Sequence, residues 1–472
     1  MNIDRFAITE DQLRTLVAEG LRDGGDWCDL YFEDTVYNDF LLRDSEVSSA
    51  GYHIDHGCGI RVLKGEKTGY AYSESTAPED LLRAARTAAS IASVASSAEV
   101  KPFRSMPAAA GKKNDCYPVR LDWNAADCGG FAPFLKKIEA GIRSRESRTL
   151  KVIAMLSWSM SEIVMYNSLG ELSSDSRPLG SISVQTIFRQ GDRTETTGVS
   201  RSLRTGAELL CDEVAEDLIS RAVRGVDSLF EARRPKGGQM PVVMGAGASG
   251  ILLHEAMGHA FEADFNRKGQ SVFAGKMGSR ICRKGINIID DGTLPASRGS
   301  CNFDDEGVPG QKTYMVTDGI LTSYLHDRIS AWSYGVAPTG NGRRESFRYN
   351  PIPRMRATYM ESGSDGSLQD LIASVKKGIF VDQFANGQVK IGEGDFTFYV
   401  KSGALIENGR LTMPVKDINI IGNGPQALAD IEAVAGDLKI DESTWTCGKE
   451  QSVAVSCGIP SVLVRSLTVG GE

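Results

Sequence analysis

Two of the chain's five histidines, His254 and His259, fall in the single segment MPVVMGAGASGILLHEAMGHAFEADF, with Glu255 next to the first. An apolar run ends there in a glycine-rich turn and a helical pattern follows, so the segment reads as strand, turn and helix. Neutral imidazoles are good zinc ligands, and a carboxylate beside a ligand can accept a proton from activated water without occupying the metal. The spacing is HExxxH, one residue longer than HExxH. On an ideal helix residues four apart are rotated by about 40° and residues five apart by about 140°, so a straight helix points the two imidazoles apart. Convergence demands an i→i+5 bulge or a break, and Gly258 is where such irregularity costs least. The expectation is a distorted or interrupted helix at 255–259; two satisfied histidines in a metal-free helix are the alternative.

The same turn satisfies a dinucleotide pattern through Gly245, Gly247 and Gly250. That fingerprint expects a second strand ending in an acid about 20 residues further on, and here the helix is followed by the polar NRKGQSVFAGKMGSR, with Asp290 and Asp291 too late. The glycines read better as a tight turn with close backbone packing.

A catalytic zinc usually keeps three protein ligands, so two histidines are not enough. The remaining candidates are Glu262, Asp264, His326, Cys282, Cys301, Cys447 and Cys457. Spacing selects none of them. Cys447, in WTCGKEQS, has Lys449 nearby to favour a thiolate, against the alternative of a buried structural thiol.

The rest of the chain sets the frame for this segment. At 472 residues it is long enough for two or three domains of about 150 residues. In the first half, helical patterns at 8–22 (Thr9 as N-cap), 78–92, 130–145 and around AELLCDEVAEDLISRAV alternate with β-rich runs such as DLYFED, DFLLRD and GSISVQTIFRQ. After the basic stretch EARRPKGGQ the texture becomes short strands broken by Gly, Pro and Asn, with helices expected only around 248–264 and 368–377. The expected fold is α+β in two domains: an N-terminal α+β domain at 1–232 and a mainly β, sandwich- or barrel-like domain at 233–472 that carries the metal-binding helix.

Net charge −8 with no block of Lys or Arg argues against a nucleic-acid partner. No apolar run reaches membrane-spanning or signal-peptide form, and nine cysteines without a CxxC pair fit reduced thiols, which points to the cytoplasm.

The stretch HEAMGHAFEADF, the loop GNGRRES followed by PIPRMRATYM, the segment INIIGNGP, and CGK with the terminal SLTVGG closely resemble the TldD branch of the TldD/PmbA family, also named modulators of DNA gyrase. The first half resembles it more loosely, through GCGIRVLKGEKTGYAY. The resemblance implies a zinc-dependent peptidase acting on unfolded or short peptides. By that resemblance His254, His259 and Cys447 hold Zn²⁺ and Glu255 is the catalytic base. It further implies a homodimer, or a heterodimer with a PmbA-type paralogue. The complete HExxxH argues against the PmbA branch. A non-catalytic protein binding unfolded partners, with zinc structural or absent, is the rival reading. Arg343, Arg344 and Arg354, in the resembling loops, are expected as solvated charges rather than site residues.

Overall fold

A computed structural model describes residues 2–94, 101–108, 114–390 and 392–471. Helices and strands are both present, as an α+β reading requires. In the first half, six antiparallel strands form one sheet in the order β3-β2-β1-β4-β5-β6. They are β1 (Trp27–Arg43), β2 (Glu46–Lys64), β3 (Lys67–Ser73), β4 (Thr149–Asn167), β5 (Leu172–Gln190) and β6 (Arg193–Leu203). The runs DLYFED and DFLLRD, read separately in the sequence, are one 17-residue strand. Thr35–Asn38 between them holds β-branched and aromatic residues and no glycine or proline, so nothing stops the strand. The chain turns where Asp44 and Ser45 both take positive φ, the geometry of a two-residue hairpin made without glycine.

Two helix pairs cover the two ends of this sheet. α1 (Glu10–Leu21) starts at Thr9, whose side chain accepts from the Gln12 backbone in a complete capping box. With α2 (Pro78–Ser93) it buries Leu13, Leu16 and Leu81 against Leu30, Phe32, Ile60 and Val62. α3 (Phe131–Arg145) and α4 (Asp212–Val223) bury Leu135, Ile138 and Leu218 against Leu156, Ile182 and Val184. The middle of the sheet is met instead by a loop of the second half, where Phe347 packs with Tyr31 and Ile163 and its N–H donates to Glu33.

After α5 (Val226–Glu231) the chain passes through 231–239 into β7 (Gly238–Met244). β7 pairs in parallel with Lys377–Lys390 and antiparallel with Val462–Gly470, and the sheet continues through Ile418–Asn423, Asp395–Glu407 and Arg410–Val415. Asp395–Glu407 also pairs with Lys377–Lys390, closing five strands into a ring, which is the barrel-like packing expected here. A second, six-stranded sheet has Ile288–Asp291, Ala357–Met360 and Ser456–Ile459 at its centre. Between ring and sheet lies α6 (Gly250–Ala256), in one core shared by Val242, Leu253, Ile288 and Val381. The contact is so close that a Cβ added at Gly250 would stand 2.7 Å from the Gly458 backbone nitrogen. Gly250 therefore serves packing and Gly247, at φ 91°, the turn, and the mixed pairing of β7 differs from the parallel sheet that a dinucleotide crevice needs.

Among the described residues no helix is long and apolar enough to cross a membrane.

Candidate metal centre

The helix breaks where HExxxH requires it. α6 ends at Ala256, Met257 leaves helical geometry at φ −130° and ψ −41°, and a 3₁₀ turn runs from Gly258 to Phe261. The reason for Gly258 differs from the sequence argument. Its φ is not left-handed, but a Cβ there would collide with the sulfur of Met355, so glycine is needed for space.

The break turns His254 and His259 onto one point, with ring centroids 5.5 Å apart and planes at 79°. The third donor comes from 188 residues away: Cys447 Sγ lies 3.2 Å from His259 Nε2. Cys447 sits on a hairpin of Thr446–Lys449 and Gln451–Ala454, paired with Val453. One potential ligand atom from each of His254, Glu255, His259 and Cys447 lies within 4.8 Å of all the others. His254, His259 and Cys447 are buried, whereas the Glu255 side chain keeps 23% of its exposure. Its two oxygens stand 3.9 Å from His254 Nε2 and 3.8 Å from His259 Nε2, near both imidazoles and still open to solvent.

The other candidate ligands lie elsewhere. Cys457 is buried in the second sheet, with its thiol pushed well up by burial, and His326 packs against Tyr324 and Tyr334. Cys282 and Cys301 are also buried outside the cluster. Glu262 and Asp264 belong to the surroundings of the site: Glu262 Oε2 is 3.0 Å from His259 Nδ1 and accepts from Lys449 Nζ at 2.9 Å, and Lys449 also reaches Asp264 at 2.8 Å. Lys449 thus serves these carboxylates and not the Cys447 thiolate. A carboxylate on Nδ1 holds a proton there and fixes the ring with Nε2 toward Cys447, the arrangement that orients a metal-binding histidine. Arg354 completes the support, donating to the Cys447 carbonyl at 2.7 Å, with its Nε 3.7 Å from Glu262. Arg343, Arg344 and Arg354, expected as solvated charges, are all buried, because their loops fold between the two halves of the chain instead of into solvent.

Charge follows this geometry. Burial would raise the Cys447 thiol, but the His254 and His259 charges beside it bring it down to about 4, so it stands as a thiolate. Burial opposes protonation of His259, yet Glu262 and Cys447 push it up to about 10. Burial likewise opposes the Glu262 charge, and Lys449 and His259 hold this carboxyl well below the usual range.

The donors fit a soft-to-borderline divalent metal such as zinc. Imidazole nitrogen and thiolate sulfur are donors that zinc takes, and Glu255 beside them keeps solvent access. The buried His254 ring has no oxygen or nitrogen partner and only the Cys447 sulfur beside it, and a metal bond would satisfy one of its nitrogens.

The chain is similar to known proteins over most of its length. Family profiles described as PmbA/TldA metallopeptidase domain 1, central domain and C-terminal domain match residues 28–92, 125–226 and 237–471. A Haemophilus influenzae protein named Metalloprotease TldD homolog is 37% identical over 454 residues, covering 94% of this chain and 93% of the relative. A Buchnera aphidicola protein of the same name is 35% identical over 463 residues, with 94% and 93% covered. The fold matches that of TldE from Thermococcus kodakarensis with TM-score 0.74 at 20% identity, covering 98% of this chain and all of that one. It also matches a Thermotoga maritima protein described as a candidate modulator of a DNA gyrase, with TM-score 0.76 at 23% identity, covering 98% and 99%. With an HExxxH break and a buried thiolate in one cluster, and with relatives along its whole length, the chain belongs to the PmbA/TldD metallopeptidase family, in its TldD branch.

Proposed function

We propose that the protein is a zinc-dependent peptidase that hydrolyses unfolded or short peptides, with 233–472 as its catalytic domain. The observation that supports it most is the cluster itself: two buried imidazoles, a buried thiolate and a partly exposed carboxylate whose ligand atoms lie within 4.8 Å of one another. His254, His259 and Cys447 would hold the ion. When bound, zinc supplies Lewis acidity, which activates water and polarises a peptide carbonyl. Glu255, alone of the four in keeping solvent access, accepts the proton of the attacking water and returns it to the leaving amine. Glu262 fixes the His259 ring, and Lys449, itself held by Asp264, holds Glu262 in place. The same reading extends to a cytoplasmic dimer, homomeric or with a PmbA-type paralogue, which light scattering of the purified chain alone and mixed with such a paralogue resolves.

The test is cleavage of an unfolded peptide together with metal analysis. Wild type should carry zinc and lose cleavage to EDTA. Glu255→Gln should keep zinc while cleavage falls by about 10²–10⁴, and Cys447→Ala should lose zinc. A fully active Glu255→Gln protein, or cleavage indifferent to EDTA, rejects the mechanism; zinc without any cleavage points to the binding protein.

A further inference from the structure

A second built site adjoins the first. Between the uncovered middle of the N-terminal sheet, the loop after Gly342 and the Cys447 hairpin lies a cavity of about 250 Å³. Six arginines line it: Arg177, Arg204, Arg298, Arg343, Arg344 and Arg356. Its acids are three, Glu33, Asp305 and Glu345, so the formal balance is 6 − 3 = +3. Asp175 and Asp29, just outside the lining, offset two of these charges through Arg177 and Arg344, while burial pushes the Glu33 carboxyl up to about 7.

The arginines fall into two groups. Arg177 is paired with Asp175 and Asp305, and Arg344 lies 3.6 Å from Asp29. The guanidinium groups of the other four form no ion pair within 4 Å among the described residues; neutral oxygens hold them instead. Arg298 donates to the Trp445 carbonyl and the Ser202 hydroxyl, and Arg343 to the Met355 and Ala454 carbonyls. Arg356 donates to the Gly340 and Gly299 carbonyls, and Arg204 to Pro178, with its Nε buried and unpartnered. Carbonyls and hydroxyls fix a guanidinium's direction without neutralising its charge. Like charges so placed repel strongly away from water, and an anion between them would relieve that cost. Burial and the neighbouring Arg356 charge push Arg343 well down from its usual value, and Asp305 offsets this only in part.

The hairpin connects this cavity to the cluster. Along a strand, side chains alternate between faces. Cys447 points to the metal centre, while its neighbour Thr446, with Ser452 and Ala454 on the returning strand, lines the cavity. The hairpin thus carries a metal donor on one face and borders the arginine-lined recess with the other. Forked guanidinium groups favour a planar carboxylate, and the acids at the cavity wall disfavour a doubly charged phosphate.

We propose that this cavity binds a carboxylate of the peptide substrate, from either its C-terminus or an acidic side chain; the assignment rests on the peptidase reading. Binding to the zinc-loaded Glu255→Gln protein, measured by calorimetry, separates the two ideas because it needs no turnover. One peptide is compared as free acid, as C-terminal amide, and with its Glu and Asp replaced by Gln and Asn. Losing the recognised carboxylate should weaken binding by about tenfold or more. Arg343→Met and, separately, Arg298→Met in the same protein should shrink that ratio toward one, with zinc content and circular dichroism checking that each variant is folded. Weakening by the amide alone assigns the C-terminus, and weakening by the neutral side chains alone assigns the acidic residue; either supports the site. Equal binding of all three peptides, or a ratio that both arginine variants leave intact, overturns it. Acid-selective binding in a protein that cleaves nothing would keep the cavity and remove the peptidase.

Discussion

Under α3 and α4 the N-terminal sheet buries Leu135, Ile138, Leu156 and Val184, whereas behind the 446–454 hairpin the C-terminal region buries Glu262, Lys449, Arg354 and His259. The first set is held by area. Each such side chain contributes roughly 1.5–3 kcal/mol by leaving water, and neighbours of similar shape are tolerated. The second set is held by pairing, in which one missing partner leaves a charge stranded away from water. The comparison teaches that the N-terminal region can absorb change in small steps, while the site region is an all-or-none polar assembly built around His259.

The sharpest way to break this contrast is Glu262→Gln. It removes the negative charge shared by His259 and Lys449, so stability should fall by about 3 kcal/mol or more, and zinc affinity by about 10- to 100-fold. Denaturant unfolding and competitive zinc titration report the two losses; if affinity is unchanged, the orienting role of Glu262 is wrong. Leu135→Ala should also destabilise, by about 2–5 kcal/mol, but with zinc affinity equal to wild type. A coupled loss of zinc there would show that the two regions are not energetically separate.

His326 gives a pH test. Burial holds its imidazole down to about 4, against about 6.5 in the unfolded chain. Between those values the unfolded state binds the proton and the folded state does not, so this contribution is complete above pH 6.5 and is lost as pH falls toward 4. The total is about 3 kcal/mol at most. His326→Phe should flatten that part of the stability profile, and an unaltered acid limb would remove His326 from the account. The smallest effect belongs to the N-terminal region: Thr9→Ala opens the α1 capping box and should cost about 1 kcal/mol, with zinc binding untouched.

Local signals in the sequence reach some of this architecture and not the rest. Thr9 with Gln12 marks the start of α1, Pro78 that of α2, and the buried positions of α3 follow its helical period. The HExxxH spacing implies a break, and the structure has one at Met257. Each of these depends on residues within a few positions of one another. Strand lengths were harder to read, because β1 continues through residues that carry no stop signal and turns at Asp44–Ser45 without glycine.

The sequence by itself determined the imidazole pair, the carboxylate between them and the need to interrupt the helix, since helical rotation permits no other way to bring His254 and His259 together. Only the tertiary structure decided that Cys447 joins them while Cys457 does not, that Glu262 and Lys449 stand behind His259, and that the arginines of GNGRRES are buried. Those contacts span from three to nearly two hundred residues. Sheet pairing and core packing, which no local period encodes, set the distances on which metal binding and charge pairing depend.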